Sequence, residues 1–399
     1  MAQRGEATVW TLEMRNSPAV TPSGQTLPFA GITVAIAVSE SDHRRRVAAS
    51  FADDFSYFGC KTIYVPDGDV EGLSADLLVL YGNCRRFHRY RDLLRRRVGS
   101  RPRVVICQID PLPPDEIDER WEARALKFQQ LFGNERWLRS VQIFAGLPVY
   151  RWIARRGFGV YSDPREGMQI DYLQARTVLE AYGYLRSALD EGWLDLICVG
   201  SIGKQEFLAK RGINAVFATR AYNAESGENR NQTRDIDVLF LGKLNKRRSE
   251  LLSNIAGQLE REGFRVSIVS RDCFGEARTA LLNRTKIVLH LHKYPWDTPW
   301  MRWALASACG AAVVSEPLSN PRPLTPGLHY VEAQLEDLPD TIGRLLQEPY
   351  RLTAMAEECS EFLREHMNSR RAAETILRDL FERPESADRG DLPLEPQSA

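Results

Sequence analysis

The sequence predicts an α/β protein made of two tandem domains that face each other across a cleft. The first observation is the length: 399 residues exceed one ordinary core and suit two domains of about 150 to 200 residues each. The second is an alternation of short apolar runs with amphipathic stretches, which is typical of parallel strands joined by helices. The third is that this alternation stops near residue 222 and restarts near residue 236.

The first half of the chain supplies the first series of strands. Strands are predicted at residues 32–40, 61–67, 75–83, 103–110 and 194–201. A long region between the last two, 116–190, is predicted to be helical. After the final strand, Ser201 is the predicted N-cap of a helix and Gly212 its predicted end.

The second half repeats the pattern more regularly. Strands are predicted at residues 237–242, 264–270, 286–292, 311–316 and 329–333. Helices are predicted between them and through about residue 382. Residues 222–235 lack apolar periodicity and are interpreted as a linker. The expected organisation is a first domain 1–222, a linker 223–235, a second domain 236–383 and a disordered tail 384–399, rich in Pro, Asp, Glu and Ser.

Composition excludes several classes of partner. Basic and acidic residues balance at 53 each, so no net field favours nucleic acid, which is not an expected partner. No apolar run reaches the 18 or so residues of a membrane span, and the first thirty residues carry acids and prolines instead of a signal peptide. The seven cysteines are odd in number and scattered, which indicates buried thiols. We predict a cytoplasmic protein without a transmembrane segment.

Residues at the predicted strand ends of the second half are largely basic or small. Ligands of doubly wound sheets bind outside the carboxyl ends of the strands, so these residues are the first functional candidates. Those at the strand ends, or in the helices that follow, are Gly242, Lys243, Lys246, Arg247, Ser270, Arg271, His292, Lys293, Arg302, Ser315 and Glu316. Glycine permits close backbone approach, and cations and helix N-termini bind anions. The pattern predicts a diphosphate site that needs no metal.

Five segments together carry a family resemblance. They are "DVLFLGKLNKRRSELL", "KIVLHLHKYP", "MRWALASACGAAVVSE", "GLHYVEAQLEDLPDTIGRLL" and "AEECSEFLREH". In this order they resemble the nucleotide-sugar-binding domain of group-1 glycosyltransferases, whose GT-B architecture consists of two Rossmann-like domains. The resemblance covers about residues 235–370, whereas the first half is similar to the family only in layout.

The resemblance implies a two-domain enzyme in which the second domain binds a nucleoside diphosphate sugar as co-substrate and the first binds the acceptor. No metal or other cofactor is implied. By matching position, Gly242 and Lys243 would approach the diphosphate, and residues 292–297 would line the donor sugar or ribose. Within that stretch the donor-binding candidates include Tyr294 and Asp297. The helix 299–309 would direct its N-terminus to the phosphates.

One position departs from the family pattern. Many relatives carry a glutamate that holds the ribose within the helix before "ACG", and this chain has Leu305 there. Either Glu316 or Asp297 holds the ribose, or activity is impaired. Retention or inversion of the anomeric centre stays open.

Two residues are the predicted catalytic groups, His292 and Asp110. Asp110 follows a strand of the first half and is the first candidate for a base that deprotonates the acceptor, although an acid before proline can equally be a turn former. The predicted acceptor-binding residues also follow first-half strands: Glu40, Asp42 and Asn83. At least one of His290 and His292 is expected to pack in the core.

An arginine-rich segment, 85–103, carries nine arginines with one acid. It fits a solvated helix face, because its leucines keep helical spacing. It equally fits contact with an anionic ligand, an acidic lipid surface or nucleic acid. In the acceptor domain, the preferred interpretation is an anionic or lipid-linked acceptor, with the protein working at the periphery of a membrane.

Three functions remain open at this point. The first is metal-independent transfer of a hexosyl or related glycosyl group, in the biosynthesis of a glycoconjugate. The second is a catalytically silent binding protein of the same shape, for which Leu305 is the best argument. The third and weakest is a nucleotide-sugar epimerase, whose paired acids for proton exchange are not evident.

Overall fold

The computed structural model of the protein describes residues 27–38, 42–82, 87–96, 102–108, 112, 120, 123, 160–162, 169–171, 182–271, 273–293 and 300–382. For residues 38, 42–48, 88, 108, 160–162 and 169–171 it describes the backbone alone. Five of the predicted site residues lie outside the described residues: Glu40, Asn83, Asp110, Tyr294 and Asp297. The predicted tail 384–399 and most of the region 116–190 also lie outside them.

The first domain contains a parallel sheet of six strands in the order β2-β1-β3-β4-β7-β8. The strands are β1 (Thr33–Val38), β2 (Lys61–Val65), β3 (Leu77–Gly82), β4 (Arg103–Gln108), β5 (Val160–Ser162), β6 (Gln169–Asp171), β7 (Leu196–Val199) and β8 (Val216–Phe217). The helices are α1 (Asp42–Tyr57), α2 (His88–Arg96) and α3 (Ile202–Ala209), and residues 182–190 are also helical. The expectation of one helical region over 116–190 is wrong, because β5 and β6 form an antiparallel pair within it.

The second domain contains a parallel sheet of five strands in the order β10-β9-β11-β12-β13. The strands are β9 (Ile236–Leu241), β10 (Val266–Val269), β11 (Thr285–His290), β12 (Ala312–Ser315) and β13 (Val331–Glu332). The helices are α4 (Lys246–Arg261), α5 (Gly275–Asn283), α6 (Trp300–Ala308), α7 (Leu338–Leu346), α8 (Pro349–His366) and α9 (Ser369–Phe381).

Both sheets follow the doubly wound pattern, which confirms the predicted fold class of two tandem Rossmann-like domains. In each sheet the first strand lies between the second and the third, so the strand order reverses there. The central strands are apolar along their length because helices cover both faces; all six residues of β3 are buried. The predicted cap and stop of α3 are confirmed, since Ser201 accepts a hydrogen bond from the Lys204 amide and Gly212 has a φ of +67°.

The segment between the domains is an ordered strap on the second domain. The Arg234 guanidinium donates to the carbonyls of Thr285 at 2.5 Å and Cys309 at 2.7 Å. The buried Asn283 side chain donates to the Glu228 carbonyl at 2.9 Å and accepts from the backbone amide of Arg230 at 2.6 Å. Hydrogen bonds between side chains and backbone groups, in both directions, therefore fasten this segment to the second domain.

The chain crosses between the domains twice at one place. The amide of Tyr222 donates to the carbonyl of Met367 at 3.0 Å, and the amide of Ser369 donates back to Tyr222 at 2.8 Å. Beyond this crossing, α9 packs Ile376 and Leu377 into the core beneath the first sheet. The predicted limits of the second domain stay a prediction, and its last described helix covers the first domain.

A second junction lies at the carboxyl ends of β7 and β12. A Cβ atom on Gly203 would lie 2.7 Å from the Asn320 side chain, so α3 and the loop after β12 are in close contact. Arg322 and Glu206 form an ion pair across the same junction at 2.6 Å. The segments that follow the carboxyl ends of β7 and β12 therefore meet at this junction.

Six cysteines lie in the described residues as free thiols, and all but Cys273 are buried. None of the helices in the described ranges is long and apolar enough to cross a membrane.

Candidate functional site

The candidate site lies where the strand order of the second sheet reverses, between the carboxyl ends of β9 and β11. Gly242 follows β9, and residues 291–293 follow β11. This reversal point is where ligands of doubly wound sheets bind, because the connections on its two sides run to opposite faces and leave a crevice.

Arg302, from the first turn of α6, lies against Gly242. A Cβ atom on Gly242 would lie 3.0 Å from Arg302 Nη2, and the φ of Gly242 is +155°. The other terminal nitrogen, Nη1, is hydrogen-bonded to His290 Nδ1 at the end of β11. The absence of a side chain at Gly242 thus leaves room for a guanidinium group at the crevice.

His290 is completely buried, and its ring centroid lies 5.0 Å from those of both Trp303 and His292. Burial lowers the pKa of His290 well below its usual range, and the positive charge of Arg302 lowers it further. The imidazole is therefore neutral at neutral pH.

Glu316 joins three elements at this edge. Its carboxylate accepts from Arg247 Nη1 at 2.9 Å and Nη2 at 2.5 Å, and also from the backbone amide of His292. Glu316 is 1% exposed and the Arg247 side chain is 24% exposed. The pair links the first turn of α4 to the ends of β11 and β12, and it compensates the charge of Arg247 within the protein.

Arg248 lies in the candidate site and was not among the residues predicted from the sequence. It is buried, donates from Nε and Nη2 to the Leu291 carbonyl at 2.9 and 2.6 Å, and donates from Nη1 to the Lys243 carbonyl at 2.9 Å. It thereby fastens the loop after β9 to the loop after β11. Helical spacing contained the signal, because Arg248 lies on the same face of α4 as Leu252, Ile255 and Leu259, which face the core.

Asn245 reinforces the same connection. Its side-chain oxygen caps α4 by accepting from the Arg248 amide at 2.9 Å, and its nitrogen donates to the Lys293 carbonyl at 3.3 Å. Loop 242–245 and residues 291–293 consequently form one rigid rim around the reversal point.

The remaining predicted donor residues differ in exposure. Lys243 and Arg271 are exposed, and Ser270 and Lys293 are half-buried. The Lys246 side chain is 90% exposed and pairs with Glu250, one turn along α4, at 3.9 Å. Lys246 therefore lies on the outer face of that helix.

Two further candidates are held by the protein itself. Ser315 is buried and donates from Oγ to the carbonyl of Glu316 at 2.6 Å. The His292 ring is buried, and its Nε2 is hydrogen-bonded to the carbonyl of Pro317 at 2.8 Å.

In the first domain, Asp42 is the first residue of α1, and its side chain lies outside the described ones. Leu305 packs half-buried against the core that contains Trp303.

Comparison with known proteins finds a family model that matches the second domain. Residues 234–378 match the model of a family described as glycosyl transferase-like. This match confirms the predicted resemblance of the second half of the chain to glycosyltransferases. No curated protein sequence matches the chain.

Several solved structures are similar to the chain. HepE of Anabaena, solved with UDP and glucose, has 9% identity and a TM-score of 0.47, with 88% of this chain and 100% of HepE covered. The lipopolysaccharide outer core galactosyltransferase WaaB has 10% identity and a TM-score of 0.45, with 88% and 99% covered. TarM of S. aureus has 9% identity and a TM-score of 0.47, with 75% and 54% covered. The chain spans about half the length of TarM.

Proposed function

We propose that the protein is a glycosyltransferase that moves a sugar from a nucleoside diphosphate sugar to a hydroxyl group of an acceptor. One observation carries the proposal: the Arg302 guanidinium is held against the bare backbone of Gly242 at the reversal point of the second sheet. A fixed cation beside backbone that lacks a side chain suits a diphosphate. The family match of residues 234–378 supports transfer of a sugar as the chemistry.

The proposed donor lies along the rim, with its diphosphate near Gly242. Arg302, Lys243 and Lys293 supply positive charge, and α6 begins at Trp300 on the same edge, which adds the positive end of a helix dipole. When the bond between the anomeric carbon and the phosphate oxygen breaks, negative charge grows on the departing diphosphate. Preoriented cations stabilise that charge, and we propose that they do so without a metal.

The acceptor is proposed to enter from the first domain, where Asp110 stays the first candidate for the base. Tyr294 and Asp297 likewise remain proposed contacts of the donor. Because His292 is hydrogen-bonded to Pro317, we propose that it joins the loops after β11 and β12 and does not contact the sugar directly. Leu305 supplies no carboxylate for the ribose, and the Glu316 carboxylate is buried and bound to Arg247 and the His292 amide. Of the two predicted alternatives, Asp297 is therefore the proposed contact of the ribose.

We further propose that the acceptor is anionic or lipid-linked. Tyr90 and Leu94 of α2 are buried, whereas Arg89, Arg95 and Arg96 are exposed. The helix is thus anchored by one face and offers a basic face to solvent. Vesicles with 30% or so anionic lipid should retain the protein at low salt, and neutral vesicles should not. Equal retention by both kinds would remove this support.

The donor proposal is tested by calorimetric titration with UDP, GDP, dTDP, CDP and ADP and their sugars, with and without EDTA. Binding of one nucleotide family is expected to survive EDTA and to weaken strongly in Arg302→Ala. Arg351→Ala is the matched control, because it removes an exposed arginine of α8 that pairs at 3.1 Å with Glu348, the residue just before that helix. Failure of the whole panel to bind would overturn the proposal.

Turnover separates the enzyme from a silent binding protein. The bound sugar nucleotide should release its nucleoside diphosphate at a rate that rises when an acceptor is added. Tight binding with no release in the presence of a broad set of anionic and lipid-linked acceptors would favour the binding protein.

A further inference from the structure

Two arginines lie at the same edge of the second sheet and are held by chemically different partners. Arg247 is held on both terminal nitrogens by the carboxylate of Glu316. Arg302 donates to an uncharged imidazole, that of His290. The first arrangement places a negative charge beside the guanidinium, whereas the contact with His290 orients the guanidinium without adding one.

The contact determines which nitrogen of His290 carries the proton. Arginine has only N–H donors, so the bonded Nδ1 must be the acceptor. The ring hydrogen then lies on Nε2, which is buried and has no hydrogen-bond partner in the part of the chain that the structure describes. A protonated ring would turn an N–H towards the guanidinium and abolish the contact.

We infer that His290 is a positioning residue for the transfer reaction, in which a buried neutral imidazole holds Arg302 at the place where the diphosphate of the donor binds. This inference rests on the proposed function. It concerns a residue that would touch neither the sugar nor the phosphates, because His290 is fully buried behind Arg302.

The packing around His290 makes the arrangement rigid. Trp303 packs on the ring from α6 at a centroid distance of 5.0 Å and an interplanar angle of 62°, and His292 packs on it from the end of β11 at 90°. These two contacts restrict rotation of the ring. A long arginine side chain loses rotamer freedom when it binds a ligand, and an acceptor that has already fixed it reduces that loss.

Burial and the groups around His290 together lower its pKa well below the usual range. Arg302 approaches from α6, His292 from the end of β11, and Arg248 and Arg247 from α4, and each disfavours a further positive charge. Burial acts in the same direction and is the larger cause of the lowered pKa of His290. The affinity for a nucleoside diphosphate should consequently show no step between pH 6 and 8 that His290 causes.

Three variants test the inference with the nucleoside diphosphate that the wild-type protein binds best. His290→Leu removes the acceptor, and His290→Asn keeps an acceptor oxygen near the place of Nδ1. Affinity should fall by about tenfold to a hundredfold in His290→Leu, as expected for a lost hydrogen bond to a charged group. His290→Asn should recover most of it, and His290→Leu combined with Arg302→Ala should bind no worse than Arg302→Ala alone.

The outcomes distinguish this inference from the proposed function. Absence of binding by the wild-type protein would overturn the proposed function and the inference together. Binding that weakens in Arg302→Ala but is unchanged in His290→Leu would overturn the inference alone. If His290→Leu does not fold, nitrogen-detected NMR of the wild-type imidazoles decides. The ring of His290 is expected to carry its proton on Nε2 and to stay neutral down to pH 6. A proton on Nδ1 would contradict the inference.

Discussion

The ion pair between Arg247 and Glu316 should stabilise the second domain in an asymmetric way. Replacement of Arg247 by Met leaves the Glu316 carboxylate buried, with 1% of its side chain exposed and, among the described residues, the His292 amide as its remaining donor. An uncompensated buried charge costs about 3 to 5 kcal/mol. Replacement of Glu316 by Gln leaves a guanidinium whose side chain is 24% exposed and can turn towards water, so the expected loss is about 1 to 3 kcal/mol.

Urea denaturation followed by tryptophan fluorescence measures these losses, since the chain has eight tryptophans and the second core contains Trp300 and Trp303. The double variant should lose less than the sum of the two single ones, by about 1 to 3 kcal/mol, because the residues are in direct contact. Arg351→Met is the control: its pair with Glu348 is about half exposed and should contribute at most about 1 kcal/mol.

Two results would refute this reasoning. One is a loss in Arg247→Met no larger than that in Arg351→Met, which would mean that the pair is not buried in solution. The other is a larger loss in Glu316→Gln than in Arg247→Met, which would reverse the asymmetry in exposure on which the magnitudes rest.

Three further predictions concern other described residues. The folded-state pKa of His290 lies well below the ordinary value of 6.5, so its contribution to stability is complete above pH 6.5 and is lost in acid, by about 1.4 kcal/mol per pH unit. In urea titrations, the free energy of unfolding should therefore fall less between pH 7.5 and 5.5 in His290→Leu than in the wild-type protein. Equal falls in the two proteins would contradict a buried neutral His290. Arg220 and Asp54 form a buried pair at 3.8 Å, so Arg220→Met should lower the free energy of unfolding by about 3 kcal/mol. The double variant Asp54→Asn/Arg220→Met should recover much of that stability. If the double variant is as unstable as the single one, the two groups are not coupled. Asn283→Ala should cost about 2 kcal/mol and make residues 222–235 more susceptible to proteolysis, because it releases the strap, whereas exposed Asn254→Ala should do neither.

Much of the fold could be predicted from local sequence patterns. The run "LLVLYG" is apolar at every position and forms a strand buried on both faces, and Ser201 and Gly212 mark the limits of α3 as capping chemistry requires. The strand ends were also predictable to within about two residues, which located the candidate site at one edge of the second sheet. Such features depend on neighbours within a few positions of the chain.

The organisation between the domains was less accessible to sequence. Residues 222–235 have no apolar periodicity, which predicts a linker but not the strap that Arg234 and Asn283 fasten. Helix α9 has an apolar face that fits either domain, and the crossing at Tyr222 and Met367 brings it to the first. These outcomes depend on backbone groups that are far away in the sequence.

The sequence by itself determined the fold class of this protein, two doubly wound domains, and the basic residues that follow the strands of the second. It also carried a resemblance to glycosyltransferases, which the family match of residues 234–378 bears out. Only the tertiary structure decided what each charge at the rim does. Arg247 and Glu316 are 69 positions apart, and Arg302 meets His290 only because α6 returns over the end of β11. Local periodicity is set by the geometry of one helix or strand, whereas the pairing of charges is set by the register and packing of several, which no short stretch of sequence encodes.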